Sequence, residues 1–239
     1  GFAVPDQAFS AALDNLRNQV NYAADFEHGG QAIAYALMVL AREGKASIGD
    51  LRYYADAKAD NFATALSLAQ LGTALAYYGD QSRADALFAK AYGQIKIRVE
   101  NDLAFRTDYG SGYRDMAAIL TLATEVGSNS VDREALAQRI AGIDRIYTST
   151  QENMWVLLAA NALISDADTG NVSLGGMPMN GPLVTRVRDV ELTGAPMVFQ
   201  NNANQPIDAV LTVTGVPAFD EPAQSNGYRI ERWTYTLEG

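Results

Sequence analysis

One change in the spacing of apolar residues, near Asp166, most constrains what this 239-residue chain can fold into. Before it, Ala and Leu recur at intervals of three and four residues, which is typical of amphipathic helices. After it, Val, Thr, Pro, Gly and Asn are enriched, and apolar residues alternate with polar ones, which is typical of strands. The spacing therefore predicts a helical domain over residues 1–165 and a β segment over residues 166–239.

The first part predicts about eight helices arranged as hairpins. Three of the turns contain a glycine at the position that ends a helix, at Gly44, Gly79 and Gly127. The intervals between these glycines are 35 and 48 residues, so the chain does not keep the period of about 34 residues of a tetratricopeptide array. Irregular spacing favours an α/α toroid, in which hairpins stand side by side around a centre, over a solenoid.

Side chains that can accept hydrogen bonds from backbone amides mark several helix starts. The predicted N-caps are Ser47, Asn61, Ser111 and Ser130. The eighth helix begins with a capping box, in which Ser149 and Glu152 each bind the other's backbone amide. Trp155 follows on the stripe that we expect this helix to bury.

The second part predicts a smaller antiparallel domain of the β-sandwich type, because alternation with one polar face is typical of sheets covered on one side. Predicted strands lie in residues 187–199, 207–214 and 228–237. In the last of them, Trp233, Tyr235 and Leu237 share one face.

Composition excludes several classes of function. The chain has no cysteine, which excludes a cysteine nucleophile, zinc fingers and disulfides. Its one histidine excludes multi-histidine metal sites. A net charge of −10 argues against nucleic-acid binding, which needs a cationic surface. Apolar stretches fall short of the roughly 18–20 residues that span a membrane, so we expect no membrane insertion.

Individual polar residues offer weak candidates for chemistry. His28 lies in a turn, where it is either an acid–base group or an exposed loop residue. Asp56 and Asp60 supply the paired carboxylates that glycoside hydrolases use, or form a solvated helix face. Residues 166–171 resemble a calcium loop, but Met177 stands where the bidentate Glu is required, which favours a linker. Residues 110–112 suggest either a phosphate loop or a helix entry. We predict no catalytic residue, metal site or cofactor.

Several stretches, in order along the chain, carry a resemblance to a known family. Residues 34–44 read AYALMVLAREG, and residues 74–80 read ALAYYGD. More specific are residues 109–115, YGSGYRD, and residues 147–155, YTSTQENMW. Together they resemble the bacterial alpha-2-macroglobulin family. The signature residues, which we expect to be structural, are Tyr109, Gly110, Ser111, Arg114, Asp115, Ser149, Thr150, Gln151, Glu152 and Trp155.

The resemblance implies that residues 1–165 are the C-terminal part of a thioester-type toroid. Residues 166–239, through the stretches 214–217 (TGVP) and 227–232 (GYRIER), resemble the returning half of a CUB-like domain and the start of a macroglobulin domain. The implied protein is a broad-spectrum protease trap and not an enzyme. Its partners are target proteases and the rest of the parent chain, and its location is the periplasm, with a membrane-anchored lipoprotein as one form of the parent.

The family's thioester comes from a Cys-x-Glu-Gln motif that would lie upstream of Gly1, so we expect no thioester residue in this chain and expect the piece to be inert alone. Two other functions stay open. An α/α-toroid polysaccharide hydrolase or lyase predicts a groove with two carboxylates at catalytic separation. A helical-repeat scaffold predicts a concave groove that binds peptides.

Overall fold

The computed structural model describes residues 4–22, 29–98, 106, 108–144, 147–166, 172–179, 185–188, 196–202, 211–215, 227, 229 and 231–237. Within them lie eight α-helices, as the sequence predicts, and three strands. The helices are α1 Asp6–Tyr22, α2 Gln31–Arg42, α3 Ile48–Ala57, α4 Ala65–Tyr77, α5 Gln81–Arg98, α6 Gly112–Glu125, α7 Arg133–Ala141 and α8 Thr150–Asp166. None of the described helices is long and apolar enough to cross a bilayer.

The helix caps confirm some predictions and correct others. Ser47 and Ser111 cap α3 and α6, but the predicted caps Asn61 and Ser130 are wrong. Asn61 lies in a short 3-10 turn, and Thr64 caps α4 by accepting a hydrogen bond from the amide of Ser67. Asp132 caps α7 in the same way. Asp132 directly precedes Arg133, the first residue of α7, and its carboxylate also interacts favourably with the helix dipole.

Three glycines end helices in the left-handed conformation, as the sequence predicts. Gly44, Gly79 and Gly127 have φ angles of 64°, 76° and 64°, which residues with a Cβ rarely adopt. They follow α2, α4 and α6, so the chain turns sharply after each of these helices.

The core lies around α4 and α6. Every side chain from Ala65 to Leu75 and from Arg114 to Thr124 is buried. The helix α4 packs against α2, α3, α5 and α6, and α6 packs in addition against α7 and α8. The even-numbered helices therefore form a row in which each contacts the next, with odd-numbered helices packed against it. Hairpins standing side by side produce this pattern, and the closed ring of a toroid stays a prediction.

The described β part is a small antiparallel sheet in the order β2-β1-β3, formed by β1 Val172–Leu174, β2 Met177–Pro178 and β3 Phe199–Asn201. β1 and β2 are joined by Gly175 and Gly176, both with positive φ, which is typical of a two-residue hairpin. This hairpin was not predicted from the sequence, where Met177 was considered only as a departure from the calcium-loop pattern.

The prediction of long strands is wrong for the residues that the structure describes in the last third of the chain. Residues 185–188, 211–215 and 231–236 carry no strand pairing. Leu211, Val213, Trp233 and Tyr235 are 84%, 85%, 72% and 80% exposed. Alternation indicates a strand only where a neighbouring strand and a core cover its apolar face, and neither covers these side chains here.

Candidate functional site

The signature residues come together where α6 and α8 begin side by side. Each helix starts with the pattern Tyr-x-Ser, and each serine is the N-cap. Ser111 Oγ accepts from the amide of Arg114 at 3.1 Å, and Ser149 Oγ accepts from the amide of Glu152 at 3.2 Å. The predicted capping box is confirmed, since Glu152 Oε2 in turn accepts from the amide of Ser149 at 2.7 Å.

Glu152 connects the two helix starts. Its Oε1 accepts a hydrogen bond from the Ser111 hydroxyl at 2.5 Å, while its Oε2 caps its own helix. The residue is only 5% exposed. A buried carboxylate is stable where donors surround it, and the positive ends of two helix dipoles favour a negative charge at this point.

Arg114 forms a second connection beside the first. Its guanidinium donates to Asp108 Oδ2 at 2.6 Å, to Asp115 Oδ1 at 2.7 Å and to Gln151 Oε1 at 2.8 Å. Arg114 is 4% exposed and Asp115 is 3% exposed. Gln151 therefore fixes the first turn of α8 to the buried ion pair on α6.

Two members of this network, Arg106 and Asp108, were missed by the sequence analysis. Arg106 donates to both carboxylate oxygens of Asp108, at 3.0 and 2.7 Å, and to Asp115 Oδ2 at 2.9 Å. Asp108 Oδ1 also accepts from the amide of Gly110 at 3.1 Å. The pattern Asp-x-Gly is a turn signal and marks Asp108, but no local signal marks Arg106, whose partners lie across the loop. We call the whole set the helix-start clamp: Arg106, Asp108, Ser111, Arg114, Asp115, Ser149, Gln151 and Glu152.

The loop residues between Asp108 and Ser111 are shaped by the clamp. Tyr109 has a φ of 52° and is 76% exposed, so it is a non-glycine residue in the left-handed region. The Cα of Gly110 lies against the Arg114 guanidinium, where a Cβ would be 2.2 Å from Cζ. Only glycine therefore fits at position 110 without moving a buried charge.

The clamp keeps its ion pairs charged. Burial alone would raise the pKa of Asp108, but hydrogen bonds and charges from Arg106 and Arg114 outweigh it, and the pKa lies below its usual value. Burial alone would lower the pKa of Arg106, yet Asp115 and Asp108 raise it. Both shifts favour the charged form of the pair that Asp108 and Arg106 make.

The remaining signature residues lie at the edge of the clamp. Thr150 is exposed at the first position of α8, and Trp155 lies one turn further on, half-buried against the core. The serine in residues 110–112 caps α6, which confirms the helix-entry interpretation of that stretch.

The other candidates from the sequence are dispersed. Asp56 lies on α3 and binds Arg83, at 2.8 and 3.1 Å, whereas Asp60 lies in the 3-10 turn and binds Lys90. The idea of a single helix face with both acids is thus wrong, because α3 ends at Ala57. Hydrogen bonds from Arg83 and Lys90 lower the pKa of the two carboxyls. His28 and residues 167–171 lie outside the described residues.

Comparison with known proteins agrees with the signature. No protein-family model matches the chain. The alpha-2-macroglobulins of Xylella fastidiosa (strain Temecula1) and Escherichia coli (strain K12) are 28% and 27% identical over 262 and 263 residues, covering 100% of the chain. Over its whole length, the chain is similar to bacterial alpha-2-macroglobulins. It spans only 16% and 15% of the length of these two relatives.

Solved alpha-2-macroglobulins share its fold over 84% of the chain. The Salmonella protein reacted with methylamine has a TM-score of 0.58 at 25% identity, with 12% of that chain covered. The trypsin-activated E. coli protein has a TM-score of 0.56 at 24% identity, with 13% covered. In this chain, the stretches 109–115 and 147–155 are the ones that meet in the helix-start clamp.

Proposed function

We propose that this chain is a structural part of a macroglobulin-type protease trap and not an enzyme. The signature residues support the structural role, because the side chains of the helix-start clamp bind one another. Similarity to the alpha-2-macroglobulins supports the link to protease trapping. A segment that corresponds to about a sixth of its relatives would act only together with the rest of a parent chain.

The observation that carries this proposal is the outer face of α8. Met154, Leu157 and Leu158 are 48%, 71% and 41% exposed. The helix has only two charged residues, the buried Glu152 and Asp166 at its last position. Helices that face solvent normally carry charges on that side, and exposed apolar patches mark interaction surfaces.

We infer that this uncharged face is covered by other helices of the parent, which complete an α/α toroid over residues 1–165. The β part supports the same view, since its alternating apolar residues lack a cover. Residues 166–239 then form the returning half of a CUB-like domain and the start of a macroglobulin domain, and other parts of the parent supply the strands that bury them.

The proposed partners of the parent are proteases, by analogy with the E. coli relative that trypsin activates. The proposed location is the periplasm. Any thioester would come from a Cys-x-Glu-Gln motif outside residues 1–239, because these contain no cysteine. The chain alone is then inert towards proteases and polysaccharides.

A comparison of the chain with its parent tests this function. Trypsin is incubated with each, and its activity is measured on a large protein and on a small peptide substrate. We expect the isolated chain to change neither activity, and the parent to suppress cleavage of the large substrate only, because a trap acts by enclosing the protease. Inhibition of both activities by the isolated chain, or turnover of an oligosaccharide, would overturn the proposal.

The uncharged face of α8 has its own test in the isolated chain. A dye that fluoresces on apolar surfaces is expected to bind the chain, and Leu157→Lys with Leu158→Lys is expected to reduce that binding. Tyr35→Lys, on the exposed side of α2, is the matched control. An unchanged dye signal in the double variant would show that α8 does not present the surface.

A further inference from the structure

The outer edge of β3 is open to a further strand. The register of β1 and β3 pairs Leu174 with Phe199, and the amide of Gly175 donates to the carbonyl of Val198 at 2.9 Å. Since the hydrogen-bonding groups of an antiparallel strand point alternately to its two sides, those of Val198 face β1 and those of Phe199 face outwards. Among the described residues, no strand pairs with this outer side. The N–H and C=O of Phe199 are therefore placed for the addition of a strand.

The opposite edge of the sheet, at β2, is closed. The amide of Met179 donates to the carbonyl of Val172 at 2.8 Å, so the backbone of Pro178, one residue earlier, faces away from β1. Proline has no N–H to donate, and a proline at such a position in an edge strand blocks the pairing of a further strand. An added strand is therefore expected at β3 and not at β2.

An apolar row crosses the sheet and ends at the open edge. Leu174 lies opposite both Met177 and Phe199, and residues that pair directly in an antiparallel sheet share a face. Met177 and Phe199 are 73% and 50% exposed, and Met197 and Val198 beside β3 are 52% and 58% exposed. A strand that paired with β3 would continue this row and cover the exposed side of Phe199.

The distribution of charge favours a second copy of this chain as the occupant of the edge. The chain has a net charge of −10, so two copies repel each other over most of their surface. Residues 197–202 read MVFQNN and carry no charge, so two copies can meet here without like charges in contact. A two-fold axis between the two Phe199 residues makes the pairing self-complementary, because each Phe199 then donates its N–H to the carbonyl of the other.

We propose that two copies of this chain pair through their β3 edges in antiparallel orientation, with Phe199 opposite Phe199 of the second copy. The two three-stranded sheets then form one sheet, in which the apolar row runs through both copies. The Pro178 edges lie at its outer sides, so association stops at the dimer. Strands of three residues bury far less than the roughly 1,200 Å² of a stable interface, so the dimer is weak. The inference concerns the isolated chain and goes beyond the proposed function, which concerns the parent.

Sedimentation velocity at about 5 µM and about 500 µM measures this association, because a weak dimer forms only at the higher concentration. We expect the wild type to shift from monomer towards dimer, and Phe199→Lys to stay monomeric because like charges would lie directly opposite each other. Met177→Lys is the matched control, since it lies in the same apolar row at the closed edge, and it should dimerise as the wild type does. Leu157→Lys with Leu158→Lys should also dimerise, because α8 takes no part in the pairing.

A charge exchange at position 199 tests the register. Phe199→Lys and Phe199→Glu are each expected to be monomeric, whereas an equimolar mixture should dimerise because opposite charges then pair across the axis. Hydrogen exchange of residues 197–201 in the wild type needs no substitution, and it should be slower at the higher concentration.

Three results would overturn the proposal. The first is a wild type that is monomeric at both concentrations, with exchange at residues 197–201 unchanged. The second is a dimer that persists in Phe199→Lys, or that is lost in Leu157→Lys with Leu158→Lys, since either places the contact outside β3. The third is a mixture of the two charged variants that stays monomeric, which would rule out the register with Phe199 at the axis.

Discussion

The carboxylate of Glu152 accepts a hydrogen bond from the hydroxyl of Ser111, 41 positions earlier in the chain, at 2.5 Å. This contact makes the cap of one helix a partner of the cap of another. Because Glu152 also binds the amide of Ser149, its loss affects the start of α6 and the start of α8 together.

Glu152→Ala is expected to lower the free energy of unfolding by about 2–4 kcal/mol, since it removes the acceptor of the Ser111 hydroxyl and of the Ser149 amide and so weakens two helix starts. Urea denaturation followed by circular dichroism measures this change. Glu134→Ala is the control, because Glu134 is an exposed first-turn acid of α7 that accepts from Gln138, and it should cost under about 0.5 kcal/mol. Equal effects of the two variants would contradict the role of Glu152.

Gly110→Ala is expected to destabilise the chain by about 1–3 kcal/mol, because the new methyl group would displace the Arg114 guanidinium. The matched control is Gly93→Ala inside α5, where a Cβ meets nothing within 4 Å. That control should stabilise the chain by about 0.5–1 kcal/mol through the greater helix propensity of alanine. The two changes of midpoint in thermal unfolding should thus have opposite signs, and a stabilising Gly110→Ala would be inconsistent with the described contact.

Asp108 predicts how stability depends on pH. Burial acts to raise the pKa of its carboxyl, but Arg106 and Arg114 more than offset this, so the folded pKa lies below the unfolded value. Such a group contributes stability above its unfolded pKa, near 4, and loses it as the pH falls through the folded pKa. The stability difference between wild type and Asp108→Asn should therefore shrink between pH 7 and pH 3. A difference that is constant over this range would show that Asp108 does not titrate with a lowered pKa.

Trp155→Ala measures how much α8 contributes to the core. Full burial would predict a cost of about 3–5 kcal/mol, but the side chain is half-buried, so we expect about 2 kcal/mol from the smaller apolar area. Leu157→Ala, on the exposed face of the same helix, should change stability by less than about 0.5 kcal/mol. Chemical denaturation of both variants measures the two changes in the free energy of unfolding. Equal changes would show that the two side chains are equally buried.

Local signals in the sequence were sufficient to predict many of the helix starts and helix ends. The capping box at Ser149 and Glu152 and the turn glycines at 44, 79 and 127 act within one or two turns, so their spacing predicts them. Asn61 failed as a cap because it lies in a 3-10 turn and α4 begins only at Ala65, directly after Thr64. Nothing in the local sequence distinguishes the two, since the choice depends on how α4 packs.

The helix-start clamp shows where sequence reasoning stops. Ser111 and Glu152 were each recognised as belonging to a helix start, but their contact with each other was not. The pairing of Arg106 with Asp115 is likewise a contact across space, which no spacing rule encodes. In the β part, the alternation at Leu211 and Val213 predicts a buried face, whereas burial requires a covering element that periodicity does not reveal.

The joint capping of α6 and α8 by Ser111, Ser149 and Glu152 has a consequence for how the sequence can evolve. Neither helix start can be changed by itself without leaving a buried group of the other unpaired. Positions 111, 114, 151 and 152 should therefore vary as a set among descendants of this chain, so that a replacement at one is accompanied by a replacement at another. Although the two segments lie almost 40 residues apart, a substitution in one therefore constrains which residues the other can accept.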